Sequence, residues 1–167
     1  MYSTSYLRYK NVTSGAIPEE AWKANVLRNG VSEYWVALEK ETGKMIAYCD
    51  ITTNGAGANM NVMKGNPEYL NKHYPFYGLL FVMNNYYLGE RGLKYLSDGF
   101  RSVTGHSNIQ PFLENKFLFR KAYCRINVTY KPMIGAAVAL LYPFRKLIPS
   151  LKVRNFLNLE AICREKH

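Results

Sequence analysis

The side chains best suited to acid–base chemistry are few, and they fall at strand ends and in one loop. Asp50 and Asp98 are the only aspartates, and both end predicted strands. Strand ends beside a cleft are common places for catalytic groups, so either carboxylate could act as a general base. His73, which would titrate near neutral pH, is the third candidate. The plainer interpretations are that Asp98 bonds its own turn before Gly99 and that His73 is an exposed loop histidine.

The cysteines offer little chemistry of their own. Cys49, Cys124 and Cys163 are odd in number and match neither a zinc-binding spacing nor a CxxC motif. Free thiols in a reducing compartment are the simplest interpretation. Cys124 has no base nearby in the sequence that would activate it as a nucleophile. We therefore predict no metal site and no cysteine catalysis.

The charge is strongly basic, with 22 Lys and Arg against 12 Asp and Glu and a net charge of +10. The excess is concentrated after Arg120, where the only acidic residues are Glu160 and Glu165. This segment could meet a phosphate-rich ligand, an anionic membrane or nucleic acid, or could simply favour solubility. No RRM, KH or zinc pattern is present, so nucleic acid is the least favoured partner. The chain opens with no apolar signal segment, which predicts a cytoplasmic protein.

The chain alternates between strand and helix patterns. A first helix is expected after Pro18, ending before Gly30, and then a hairpin of strands 33–40 and 44–53. The later elements are a third strand at 59–64, a long loop at 65–78, a helix from Pro75 or Phe76 to about 89, a strand at 93–98, a short helix within 106–117 capped by Ser107 or Asn108, a strand at 119–131, and two helices at about 133–147 and 150–164.

This order over residues 33–130 resembles the GNAT acyltransferases. Two stretches carry the resemblance: EYWVALEKETGKMIAYCDI is similar to the GNAT central hairpin, and HSNIQPFLENKFLFRKAYCRI is similar to the late motif. The Gly-Phe step of that motif reads Leu118-Phe119 here. The resemblance implies an α/β (α+β) fold, a mixed and mostly antiparallel sheet of five or more strands flanked by helices. We expect one domain over 1–167, with its core at about 16–131 and a C-terminal helical extension at 132–167.

The same resemblance implies a site for acyl-CoA. In such a fold two strands splay apart to hold the pantetheine arm, and the pyrophosphate rests on the N–H groups that begin the next helix. That helix start is residues 72–78 here. The cofactor-binding candidates are Lys72 as a point charge, His73, Tyr74, Phe76, Tyr77, Gly78 for close approach, and Asn108, which would contact the cofactor arm and could also cap a helix.

The resemblance further implies an acyl-CoA-dependent N-acyltransferase that transfers the acyl group directly to an amine. The acceptor could be an amino sugar, a small amine or an aminoacyl group. A catalytically inactive binding domain is the alternative, because Leu113 or Glu114 stands where the family's late helix carries a catalytic tyrosine. A basic nucleic-acid-binding module ranks last. The first strand of the family has no counterpart before Pro18, so it is absent or supplied by another chain, and a homodimer is one expected assembly.

The C-terminal segment at 133–147 combines an apolar run with Arg145 and Lys146 at its end. Ten apolar residues are too few to span a bilayer. The simpler interpretation is a helix that buries its apolar side on the sheet. The sharper one is a segment that rests on an anionic membrane and brings the enzyme to a lipid-linked acceptor.

Overall fold

The computed structural model describes residue 5 and residues 17–99, 109–123 and 126–165. From residue 17 onward these form two compact units, one ending at residue 99 and the other beginning at residue 109. None of the described helices combines the length and apolar character needed to cross a bilayer.

The first unit is built on a four-stranded sheet. Its strands are β1 (Ser32–Leu38), β2 (Met45–Thr53), β3 (Gly57–Gly65) and β4 (Tyr95–Ser97), in the order β1-β2-β3-β4. The first three strands pair antiparallel, and β4 joins β3 in parallel. The turn between β1 and β2 contains Gly43 with a φ of 68°, a conformation that glycine adopts without strain. The predicted hairpin and the mixed, mostly antiparallel sheet are confirmed.

Four helical segments accompany the sheet: α1 (Glu19–Arg28), α2 (Pro67–His73), α3 (Pro75–Asn84) and a π-helical turn (Asn85–Glu90). The prediction of a loop over 65–78 is wrong, because α2 forms half of this segment and α3 begins at Pro75. Asn66 caps α2 by accepting a hydrogen bond from the Glu68 N–H, and Pro67 stands at the first helical position. A side-chain cap followed by proline is a helix-start signal that the loop interpretation overlooked.

Helix α3 covers one face of the sheet. Leu79, Leu80 and Met83 are buried along it, and Tyr87 in the following π turn is fully buried. Burying each such side chain contributes about 1.5–3 kcal/mol. The rings of Tyr86 and Tyr87 both contact Trp35. The π turn widens the helix at this point, which brings the half-buried Tyr86 toward the sheet as well.

The second unit is helical in its described residues. It contains α4 (Ile109–Phe117), α5 (Pro132–Leu141), a short 3₁₀ turn (Tyr142–Phe144) and α6 (Leu151–Arg164), so the two predicted C-terminal helices are confirmed. The predicted strand at 119–131 is not formed by its described residues, 119–123 and 126–131. Alternating side chains favour a strand, but a strand also needs a hydrogen-bonded neighbour. The described part of the chain therefore has four strands rather than five or more.

Helix α5 buries one residue, Val138. Most of its other apolar side chains are exposed, Met133 and Leu140 most of all.

Candidate cofactor-binding and catalytic site

Strands β3 and β4 are paired over a short distance only. Gly57, Ala58 and Asn59 pair with the three residues of β4, while β3 continues to Gly65. Strand β2 covers the other edge of β3 along almost its whole length. Among the described residues, no strand pairs with the β4-side edge of residues 60–65. This edge, about 20 Å long at the usual rise per residue, offers backbone N–H and C=O groups to an extended ligand.

A β-bulge lies at the point where the two strands separate. Asp50 pairs with Val62 and Ile51 pairs with Met60, which leaves Asn61 as the extra residue of β3. The Asn61 amide Nδ2 is 3.2 Å from Asp50 Oδ1 and 3.3 Å from Thr52 Oγ1, and it donates to both. A bulge bends its strand and re-aims side chains, and bulges are frequent beside active sites. The sequence pattern of β3 does not predict this bulge.

Two of the three predicted catalytic residues lie near this bulge. Asp50 lies inside β2, three residues before its end, and not at the strand end as expected. Asp98 directly follows β4, whose last residue pairs with Asn59. The Gly99 N–H in this turn donates to the Ser97 hydroxyl at 3.0 Å.

The carboxylates of Asp50 and Asp98 both act electrostatically on the buried thiol of Cys49. Burial, and to a smaller extent the negative charges of Asp50 and Asp98, together raise the pKa of Cys49 to about 12. The thiol is therefore neutral and inert at physiological pH. Within the described ranges, no group of His, Cys, Asp and Glu side chains is arranged to hold a metal ion.

His73 is not brought to the aspartates. Its Nε2 is 3.8 Å from Glu39 Oε1, and its ring centroid is 5.5 Å from that of Tyr69. Glu39 belongs to the turn between β1 and β2, where its N–H donates to the Lys44 carbonyl. His73 therefore lies at the turn end of the sheet, and Asp50 lies further along β2.

The predicted phosphate-binding segment joins two helices. Lys72 and His73 end α2, and Tyr74, in the left-handed conformation with a φ of 47°, connects it to α3. Helix α3 begins at Pro75, as expected, and the Tyr77 N–H donates to the Tyr74 carbonyl at 3.0 Å.

The members of this segment differ in their surroundings. Lys72, Tyr74 and Tyr77 are exposed. A Cβ atom added to Gly78 would meet no atom within 4 Å, so the backbone there faces open space. Phe76 instead packs at the end of β3, where a Cβ on Gly65 would come within 3.1 Å of its ring. Asn108 and the proposed cap at Ser107 lie outside the described residues.

Sequence reasoning missed a polar network beneath the π turn. The Tyr87 hydroxyl donates to Glu33 Oε2 at 2.8 Å and accepts from Trp35 Nε1 at 2.8 Å. Arg91 Nη1 donates to Glu33 Oε1 at 2.7 Å. Burial is the main reason that the pKa of Tyr87 is raised. The network connects the end of the helix to β1, and Gly92, with a φ of 63°, follows the helix end.

The late helix, α4, carries the two residues that the sequence placed at the family's tyrosine position. Leu113 is fully buried. The Glu114 carboxylate pairs with Lys121 at 3.4 Å. Leu118, just after the helix, has a φ of 56°. That is the left-handed conformation which glycine favours, and it falls at the residue that replaces the glycine of the Gly-Phe step.

Solved structures with similar folds are acetyltransferases. A ribosomal-protein-S18-alanine N-acetyltransferase from Escherichia coli superposes with a TM-score of 0.50 at 16% identity, covering 78% of each chain. A ribosomal-protein-alanine N-acetyltransferase from Brucella melitensis biovar Abortus 2308 gives 0.52 at 11% identity, covering 68% of this chain and 82% of that one. A probable acetyltransferase gives 0.52 at 14% identity, covering 71% of this chain and 80% of that one.

The chain has the GNAT fold. At these identities the likeness concerns the fold, and neither the protein-family models nor the curated proteins contain a match. The sequence resemblance implies two strands that splay apart, and β3 and β4 separate in this way after residue 59. The Leu118 conformation likewise agrees with the late GNAT motif read from the sequence.

Proposed function

We propose that this protein is an acyl-CoA-dependent N-acyltransferase. The observation that carries the proposal is the edge of β3 at residues 60–65, with which no described strand pairs on the β4 side and which borders the opening to β4 in a GNAT fold. An acyl-CoA arm is extended and carries amide groups, so it can hydrogen-bond to such an edge as a strand would. The edge and the open space outside Gly78 fit a ligand of this shape.

The two ends of the opening suit the two ends of the ligand. The pyrophosphate would meet the start of α3, where Lys72 is exposed and Gly78 allows close approach. His73, Tyr74 and Tyr77 would line that end, and Phe76 would support it from below. Asn108 would contact the arm. The thioester would then lie toward the bulge.

Bound acyl-CoA supplies a thioester that an amine can attack. A carboxylate near the bulge, Asp50 or Asp98, would attract a cationic amine and take one proton from it, and the neutral amine would then attack the thioester carbonyl to form the C–N bond. Backbone N–H groups of the β3 edge would stabilise the negative oxygen. The C–S bond then breaks, and the leaving thiolate takes up the second proton, which the attacking nitrogen loses. The acceptor would be an amino sugar, a small amine or an aminoacyl group.

A binding domain without catalysis is the second candidate. It is favoured by α4, where Leu113 is buried and Glu114 is held by Lys121. Neither residue can replace a tyrosine hydroxyl as the acid that protonates the leaving thiolate.

Turnover separates the two candidates. Acetyl-CoA would be incubated with the protein and a panel of amino sugars, polyamines and peptides with free amino termini, and released CoA would be measured by chromatography. We expect acetylation of at least one class, and replacing the true base by Asn (Asp50→Asn or Asp98→Asn) to lower kcat about 10²- to 10⁴-fold. Glu41→Gln, in the exposed β1–β2 turn, is the matched control.

Two results would contradict the proposal in different ways. Thermal stabilisation by acetyl-CoA without acetylation of any amine would identify a binding domain. No stabilisation and no turnover would exclude both candidates.

A further inference from the structure

Helix α5 is exposed although it carries no charged or polar side chain. Met133 is 87% exposed and Leu140 is 70% exposed, and the apolar surface continues through Phe144 and Leu147. A helix that is apolar on all sides is normally buried in a protein core or in lipid. A contiguous exposed apolar surface marks an interaction site. The exposed surface of α5 is therefore expected to bind an apolar partner.

An apolar groove lies between α5 and α6. The side chains that line it include Met133, Val138 and Leu141 from α5 and Val153, Phe156 and Leu157 from α6. The groove has a volume of about 240 Å³. The exposed Met133 is part of its lining, so the groove extends the apolar surface of α5 toward α6.

Cations flank this apolar segment along the chain. Lys131 directly precedes α5, Arg145 and Lys146 follow the 3₁₀ turn, and Lys152 and Arg154 lie in the first turn of α6. The sequence has no acidic residue between Glu114 and Glu160. The Arg145 guanidinium lies 4.4 Å from the centroid of the Tyr142 ring, which holds it beside the apolar surface.

The charge distribution favours an anionic lipid surface over a second copy of the chain. A second copy of the chain would bring the same cations against one another, which opposes association. An anionic lipid surface combines acyl chains for the apolar residues with negative headgroups for the cations. With ten residues, α5 is about 15 Å long, half the thickness of a hydrocarbon core, so it is suited to lie in the interface rather than to cross it.

We propose that the α5–α6 hairpin, residues 132–164, binds an anionic membrane surface. Met133, Leu140, Phe144 and Leu147 enter the acyl-chain boundary, and the flanking lysines and arginines contact the headgroups. This inference is independent of the proposed catalytic function.

Vesicle co-sedimentation tests the proposal. The full-length protein would be spun with phosphatidylcholine vesicles and with vesicles that also contain phosphatidylserine. We expect binding to the second kind only, at low ionic strength, and a fall of about tenfold or more as added salt shortens the Debye length to a few ångströms. A Met133→Glu/Leu140→Glu double variant should bind at least about tenfold more weakly, because both side chains would bring charge into the apolar layer. Leu27→Glu is the matched control, since Leu27 in α1 is 87% exposed, as Met133 is.

A second variant tests the electrostatic part. Lys131→Ser/Lys146→Ser removes two exposed cations and should reduce the salt dependence of binding without changing the circular dichroism spectrum. The proposal is wrong if the wild type ignores phosphatidylserine vesicles at low ionic strength, or if both double variants bind as Leu27→Glu does. It is also wrong if sedimentation shows a wild-type dimer that Met133→Glu/Leu140→Glu dissociates, without vesicle binding.

Discussion

Replacing Tyr87 with phenylalanine removes one oxygen atom from the polar network that joins the π turn to β1. The ring of Tyr87 is fully buried, and phenylalanine fills the same space. The change therefore leaves the packing intact and removes two hydrogen bonds, one donated to Glu33 and one accepted from Trp35. It isolates the energetic role of the hydroxyl.

The magnitude follows from the partners. A hydrogen bond to a charged group contributes about 1.5–3 kcal/mol, and a neutral one about 1 kcal/mol. Glu33 keeps its partner Arg91 at 2.7 Å, which limits the cost of losing the hydroxyl. We therefore expect Tyr87→Phe to lower the free energy of unfolding of the first unit by about 2–3 kcal/mol.

Urea unfolding followed by tryptophan fluorescence measures this loss, because both tryptophans, Trp22 and Trp35, lie in the first unit. Tyr86→Phe is the control, because the Tyr86 hydroxyl makes no hydrogen bond to any described residue, although the Tyr86 ring also contacts Trp35. The reasoning fails if the two variants unfold at the same urea concentration.

Three further outcomes are expected. Leu118→Gly should stabilise the second unit by about 0.5–1 kcal/mol in urea unfolding followed by circular dichroism, because it relieves a left-handed leucine, whereas Leu118→Ala should give no gain. Hydrogen bonds from Tyr130 and then Arg164 lower the pKa of Glu160, so its ionised carboxylate contributes fully to the free energy of unfolding above pH 4.5 and loses that contribution as pH falls through the lowered pKa. Glu160→Gln should therefore flatten the acid side of the plot of unfolding free energy against pH. An unchanged acid side would refute the assignment. The Cys124→Ser variant would be treated with iodoacetamide at neutral pH and followed by mass spectrometry. We expect Cys163 to be modified well before Cys49, because Cys49 is buried and its pKa is raised to about 12. Equal rates of modification would contradict the burial of Cys49.

The elements that the sequence predicts well are those whose signals are local. Strand alternation on both sides of Gly43 identifies the hairpin, and Pro75 marks the start of α3. The helical spacing of Leu79, Leu80, Met83 and Tyr87 identifies the buried side of this helical segment, whereas Leu88, which has the same spacing, is exposed. The resemblance to GNAT proteins then gives the layout of the sheet.

The features that escape prediction depend on partners distant in sequence. The bulge at Asn61 exists only in the register between β2 and β3, and the network of Glu33 and Tyr87 joins residues 54 positions apart. The segment at 119–131 has the alternation of a strand without a described neighbour to pair with. Helix α2 was also not predicted, although its start signal is local: Asn66 caps the helix and Pro67 follows it.

Amide hydrogen exchange with and without acetyl-CoA tests the central claim most directly. If the acyl-CoA arm pairs with the β4-side edge of β3 at residues 60–65, saturating acetyl-CoA should slow exchange within those residues and at the start of α3. It should leave residues 57–59, which pair with β4, unchanged. The same exchange in residues 60–65 with and without acetyl-CoA, or protection confined to other elements, would contradict the account.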